Sequence, residues 1–127
     1  MSGNAIPDNL RRFIVVNALT VPDVEALMIL RGARDVAWTA AALGERLYVT
    51  PARAARIVER LAELGAIAPH GGGHVYRPRT PELDLLFSTL EDYHARHLVE
   101  ITRLIHASED RAALDFADAF RIRKEKP

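Results

Sequence analysis

Residues 50–65, Thr50-Pro51-Ala52-Arg53-Ala54-Ala55-Arg56-Ile57-Val58-Glu59-Arg60-Leu61-Ala62-Glu63-Leu64-Gly65, carry the fullest helix signature in the chain. A threonine able to cap a first turn is followed at once by proline, whose fixed φ and missing N–H suit the first helical position. Ala54, Val58 and Leu61 recur at helical spacing and predict the core side, and Gly65 supplies the left-handed residue that ends a helix. Arg53, Arg56 and Arg60 stand three and four residues apart, so they share one helical face.

Working outward, Thr39 is a good cap for a preceding helix, Ala40 to Leu47, with Leu43 and Leu47 facing inward and Tyr48-Val49 as the turn. Asp35-Val36-Ala37-Trp38 reads as a short extended segment with Trp38 at the core edge. Thr20-Val21-Pro22-Asp23 opens another helix that Gly32 stops, with Asp23 and Glu25 at the positive end of its dipole. Its buried stripe is Val24, Leu27, Met28 and the stem of Arg31. Met1 to Ile6 carry no pattern. Pro7-Asp8-Asn9 can start a first helix through Leu10, Phe13, Ile14 and Asn17, although Phe13-Ile14-Val15-Val16 would also serve as a strand.

Downstream of Gly65, Ala66-Ile67-Ala68-Pro69 and His74-Val75-Tyr76-Arg77 flank His70-Gly71-Gly72-Gly73, the pattern of a hairpin. Pro69 and Pro78 keep its strands short and peripheral. From Pro81 a long helix is expected to about Ala107, because Leu83, Leu86, Leu90, Tyr93, His97, Ile101 and Leu104 follow three–four spacing, widened by Phe87, Leu98 and Ile105. Ser108 is expected to cap a final short helix with Ala113, Phe116, Ala117 and Phe120 on one face, before a basic tail over 121–126. The fold class is therefore mainly α: a winged helix-turn-helix with an N-terminal helix, a small β-hairpin wing, and a C-terminal long helix plus a short one. Residues 1–20 read as an N-terminal arm, 21–80 as the winged helix-turn-helix and 81–127 as a helical dimerisation arm, all within one compact unit.

The middle segment, Trp38-Thr39-Ala40 and then Thr50 through Ile67, resembles the recognition helix and first wing strand of the broad multiple-antibiotic-resistance-regulator class (MarR-like proteins). Pro7-Asp8-Asn9-Leu10-Arg11-Arg12-Phe13-Ile14, Glu25-Ala26-Leu27, Leu47-Tyr48, Tyr76-Arg77-Pro78 and Phe116 through Lys124 resemble a family of small bacterial winged-helix proteins grouped with transcriptional regulators. The resemblance implies the fold and a general regulatory role, without a target.

Composition sets the bounds. The chain has 127 residues, 49% of them hydrophobic, enough for a packed core. It lacks cysteine, which excludes a disulfide framework and a thiolate metal site and suits a reducing, cytoplasmic setting. No segment has signal-peptide order, and Phe13 to Val16 and Ala26 to Leu30 fall far short of the ~20 residues that span a bilayer. Net charge is zero, yet from Arg31 to Arg79 eight arginines face four carboxylates, a local excess of four positive charges between acidic flanks.

A recognition helix presents its N-terminal half to the major groove, so Thr50, Ala52, Arg53, Ala55, Arg56 and Arg60 are the candidate DNA contacts on this helix. Arg53 and Arg56 are placed to reach guanine edges or phosphates, and Arg60, deeper in the helix, the backbone. Equally, Glu59 and Glu63 can pair with Arg56 and Arg60 as a solvated face. His74, Arg77 and Arg79 are candidate wing contacts, and three consecutive glycines let main chain approach phosphates or simply form a surface turn. His70 with His74, and His94 with His97, have spacings that hold a metal only with further convergent ligands, so no metal or cofactor is expected. No phosphate loop after a strand, nucleophile elbow or paired helical His-Glu-His motif occurs, so no catalytic residues and no enzyme are expected. Leu86, Leu90, Tyr93, His97, Ile101, Phe116 and Phe120 are the candidate dimerisation residues. Two functions stay open: a homodimeric regulator binding double-stranded DNA at a pseudo-palindrome, or a winged-helix adaptor that binds a protein partner. Neither needs a membrane.

Overall fold

The computed structural model describes residues 6–110. In chain order they form α1 (Asp8–Val16), α2 (Val21–Gly32), α3 (Ala40–Leu47), α4 (Pro51–Glu63), β1 (Ile67–His70), β2 (Gly73–Tyr76) and α5 (Pro81–Arg96), with a further helical stretch over 98–110. This is the mainly helical winged-helix arrangement with a two-stranded antiparallel hairpin. The described residues divide into two compact units, Val21–Asp92 and the segments on either side of it, with α5 passing from one to the other. Among the described residues no single helix is long and apolar enough to cross a membrane.

Helix ends follow local chemistry. Thr39 Oγ1 accepts from the Ala42 amide and Thr50 Oγ1 from the Arg53 amide, each at 3.1 Å, so both expected caps form. α1 ends at Val16 by two reverse bonds, Ala18 N–H to Val15 O and Leu19 N–H to Ile14 O, both 3.1 Å, with Ala18 at a φ of 49°. That closure places Phe13 to Val16 in a helix and settles the strand alternative. α4 ends in the same way, with Gly65 N–H on Ala62 O and Ala66 N–H on Leu61 O at 3.0 Å.

In the Val21–Asp92 unit, α4 packs against α2 and α3. Its buried side chains are Ala54, Ile57, Val58 and Leu61, facing a core that includes Leu27, Leu30, Leu43 and Phe87. Each buried Leu, Ile or Val adds about 1.5–3 kcal/mol over an exposed one. Leu47, expected inward, is only half-buried, as is Met28. In the other unit Leu10, Ile14, Leu19, Ile101 and Ile105 are buried.

The hairpin pairs Ile67 with Tyr76 and His70 with Gly73, which leaves Gly71 and Gly72 as a two-residue turn. Their φ values, 54° and 83°, belong to the tight turn whose twist matches antiparallel strands. Gly73 has a different task. Trp38 and His74 form an isolated antiparallel bridge, with Trp38 N–H to His74 O at 2.8 Å and His74 N–H to Trp38 O at 2.9 Å. A Cβ on Gly73 would stand 2.6 Å from Trp38 O, so only glycine lets these backbones meet.

Two expectations at the C-terminal side need correction. The helix expected from Pro81 to about Ala107 is interrupted at His97, whose N–H closes α5 on Tyr93 O (2.6 Å) and whose carbonyl opens the next helix by accepting from Ile101 (3.0 Å). The apolar spacing runs through this junction because periodicity reports which face is buried, not whether the helix is continuous. Ser108 is no cap: it lies within the 98–110 helix, 7% exposed, on the stripe of Ile101 and Ile105. Three–four spacing from those isoleucines carries Ser108 inward and leaves its amide inside the helix. The short helix expected after it lies outside the described residues.

Gly73→Ala is expected to lower stability by about 1–3 kcal/mol through overpacking against Trp38. Gly32→Ala, where nothing lies within 4 Å of the added Cβ, should leave stability unchanged or raise it. Urea-denaturation midpoints of the two variants check this.

Candidate nucleic-acid interface

Because α4 buries Ala54, Ile57, Val58 and Leu61, the opposite face is left to solvent. Thr50, Ala52, Arg53, Ala55 and Arg56 are all exposed there, over the first two turns after the Thr50 cap. Glu59 and Glu63 are exposed on the same helix, yet among the described residues neither forms an ion pair with Arg56 or Arg60. Arg53 and Arg56 therefore present two guanidinium groups without carboxylate partners in the described structure.

Arg60 departs from its expected role. It is half-buried, and its Nε donates to Asp23 Oδ2 at 3.1 Å, with the Asp23 side chain only 2% exposed. The buried carboxylate sits in the first turn of α2, where the helix dipole also favours negative charge, and it draws Arg60 off the solvent face.

On the wing, His74 is half-buried at the bridge to Trp38, and Arg77 is exposed just past β2, with its amide on Ala66 O at 2.9 Å. Arg79 is exposed, but its Nη2 lies 3.4 Å from Ala62 O and its amide bonds Gly65 O at 2.7 Å. It thus sits over the C-terminal turn of α4, where unpaired carbonyls and the negative dipole end attract a cation. Gly71 and Gly72 are accounted for by the turn and Gly73 by the Trp38 contact.

The base of the wing is held by a polar cluster centred on Arg31, whose side chain is 7% exposed. Its Nη1 donates to Tyr76 Oη (2.8 Å) and Asp84 Oδ1 (3.1 Å), and its Nε to Glu91 Oε1 (3.0 Å). Tyr76 Oη in turn donates to Asp84 Oδ1 at 2.6 Å. The Arg31 and Arg34 guanidinium groups lie 5.3 and 5.2 Å from the centre of the Tyr76 ring, and Phe87 meets that ring edge-on at 6.3 Å. Burial, then the hydrogen bond to Asp84, pushes the Tyr76 phenol up to about 12. The Asp84 carboxyl is held below the usual carboxylate range, chiefly by the Tyr76 hydroxyl and then by Arg31. Burial opposes the charge on Arg31, but the bond to Glu91 and the nearby phenol outweigh it and raise its pKa.

Tyr48 is the residue that sequence reasoning passed over as a contact, reading it as part of a turn and of a family resemblance. It is 95% exposed and sits at a φ of 59° between α3 and α4. Its one sequence signal is a bulky residue at a helix end where glycine is usual. An open groove of about 400 Å³ is lined by Met28, Ile29, Gly32, Ala33, Trp38 and Arg46, with Arg46 5.9 Å above the Trp38 ring. Among the described residues no three His, Asp or Glu side chains converge as a metal site.

Of the dimerisation candidates, Leu90 is fully buried in the Val21–Asp92 unit and Ile101 in the other. Leu86, Tyr93 and His97 are half-buried, with the Tyr93 and His97 rings stacked at 5.2 Å. Phe116 and Phe120 lie outside the described residues.

Two outcomes follow from this geometry. Arg60→Ala should lower stability by roughly 1–3 kcal/mol, less than for a fully buried pair because Arg60 is 41% exposed; thermal unfolding checks it. The Tyr76 phenol, raised in the fold from 10.0 to about 12, contributes stability that is fully present below pH 10 and lost as pH rises toward 12. The lowered Asp84 contributes stability present above the usual carboxylate range and lost as pH falls through its folded value. Tyr76→Phe should flatten the alkaline limb of a stability–pH profile and shrink the acid limb.

No protein-family model matches the chain, and no curated protein matches it in sequence. Among solved structures it is similar to a MarR family protein of Mycobacterium tuberculosis, at 18% identity, with 92% of this chain and 84% of that chain covered and a TM-score of 0.48.

Proposed function

We propose that this protein is a winged-helix transcriptional regulator, not an enzyme, that binds double-stranded DNA as a homodimer at a pseudo-palindromic site. α4 enters the major groove, Arg53 and Arg56 reach guanine edges or phosphates, and the hairpin lies along the neighbouring backbone with Arg77 as its contact. The observation that carries this reading is the pair Arg53 and Arg56: both exposed, both without a carboxylate partner among the described residues, both in the first two turns of a helix anchored by its opposite face. Exposed Val15, Val16, Leu98 and Val99, all in the unit outside Val21–Asp92, support association through that unit.

A second reading, an adaptor that binds a protein partner, draws support from two arginines already engaged within the chain, Arg60 on Asp23 and Arg79 over the end of α4. The zero net charge points the same way.

Salt separates the two. The purified protein, offered a pool of genomic fragments at low and moderate salt, should enrich a short palindrome and lose affinity steeply as salt rises. The Arg53→Ala, Arg56→Ala double variant should bind at least about tenfold more weakly, with a salt slope smaller by about one for each phosphate that it no longer neutralises. A folded, dimeric protein that enriches nothing supports the adaptor instead.

A further inference from the structure

Tyr48 is held in a disfavoured way twice over. A left-handed backbone is unfavourable for any residue with a Cβ, and a large aromatic ring is unfavourable in water. The backbone shape itself is needed. The Tyr48 amide turns back onto Gly44 O, and the Val49 amide reaches the same carbonyl at 2.9 Å, which closes α3 and aims the chain into the Thr50 cap of α4. Glycine or asparagine would meet that need without strain.

The side chain returns nothing to the fold. At 95% exposure the ring covers no core, and among the described residues its hydroxyl has no hydrogen-bond partner. Two arginines flank it in the chain, Arg46 in the last turn of α3, over the Trp38 ring, and Arg53 in the first turn of α4, both exposed, against one exposed carboxylate, Glu45. A phenol is a neutral donor with a flat apolar body, suited to a sugar–phosphate strand that passes beside such cations.

We propose that Tyr48 is a DNA-backbone contact: its hydroxyl donates to a phosphate oxygen at the edge of the groove that α4 enters, and so sets how deeply that helix sits. This rests on the DNA-binding reading above. The contact orients α4 without reading sequence, since every nucleotide offers the same phosphate.

The contact has a signature that an arginine contact lacks. An uncharged hydroxyl displaces no condensed counterion, so its removal weakens binding without changing the slope of affinity against salt. The experiment uses the full chain and the DNA fragment that the wild type enriches, with Tyr48→Gly, Tyr48→Phe and the Arg53→Ala, Arg56→Ala variant side by side. Tyr48→Gly should melt at or above the wild-type temperature, because the strain is relieved, yet bind roughly tenfold more weakly at an unchanged salt slope. Tyr48→Phe should share most of that weakening. Equal affinity of Tyr48→Gly and wild type overturns the contact while DNA binding stands. Full affinity of Tyr48→Phe also overturns it, by assigning the effect to the ring, and a lower melting temperature of Tyr48→Gly overturns it by giving Tyr48 a role in the fold. A folded wild type that enriches no fragment overturns the DNA reading and the Tyr48 contact together.

Discussion

The burial of one face of α4 is the constraint on which the rest of this structure depends. Ala54, Ile57, Val58 and Leu61 must lie against α2 and α3, and a helix has only one way to satisfy that. The opposite face is then settled without any choice about function: Arg53 and Arg56 stand outward, and Arg60, on the flank, comes within reach of Asp23. The same burial sets both ends. Thr50 starts the helix where the chain leaves Tyr48, and the reverse bonds at Gly65 turn it into β1, so the hairpin begins beside the C-terminal turn of α4.

A second, polar constraint holds the hairpin's base. Arg31 lies among Tyr76, Asp84 and Glu91, groups supplied by β2 and α5. An ionic cluster around a buried guanidinium, its two carboxylates about half exposed, is seldom more stabilising than apolar side chains of the same volume, because desolvating the cation offsets most of the attraction. Its effect is directional: a planar guanidinium with three short bonds admits one arrangement of β2 and α5, where packed methyl groups tolerate several. Tyr76 is the last residue of β2, so the exposed Arg77 emerges from a fixed point.

Features written in adjacent residues were legible in the sequence. Thr39, Thr50 and Gly65 act on amides and carbonyls within one turn, and the glycine turn acts on its own φ angles, so the caps, the hairpin and the outward placement of Arg53 and Arg56 could be read directly. Features written across distance were not. Arg31 was seen only as an apolar stem, because Asp84 and Glu91 lie 53 and 60 residues away. Asp23, 37 residues from Arg60, read as a helix-dipole residue for the same reason. Ala18 and Tyr48 end helices at positive φ without the glycine that usually announces it. His97 breaks a helix with neither proline nor glycine to mark the place, and Ser108 has the chemistry of a cap but the phase of the buried stripe.

The two-residue turn at Gly71 and Gly72 has a consequence for how such a chain can change over generations. Nothing lies within 4 Å of where either glycine would carry a Cβ, and neither takes part in the Trp38 bridge that secures the hairpin's root. Residues inserted between them would lengthen the hairpin while its base, from Gly73 to Tyr76, kept every bond it has. Loop closure grows only slowly more costly with length, by about 0.6 kcal/mol per doubling. The length of the hairpin is thus a quantity that evolution, or an engineer, can adjust at one spot, independently of the α4 face and of the core that carries it.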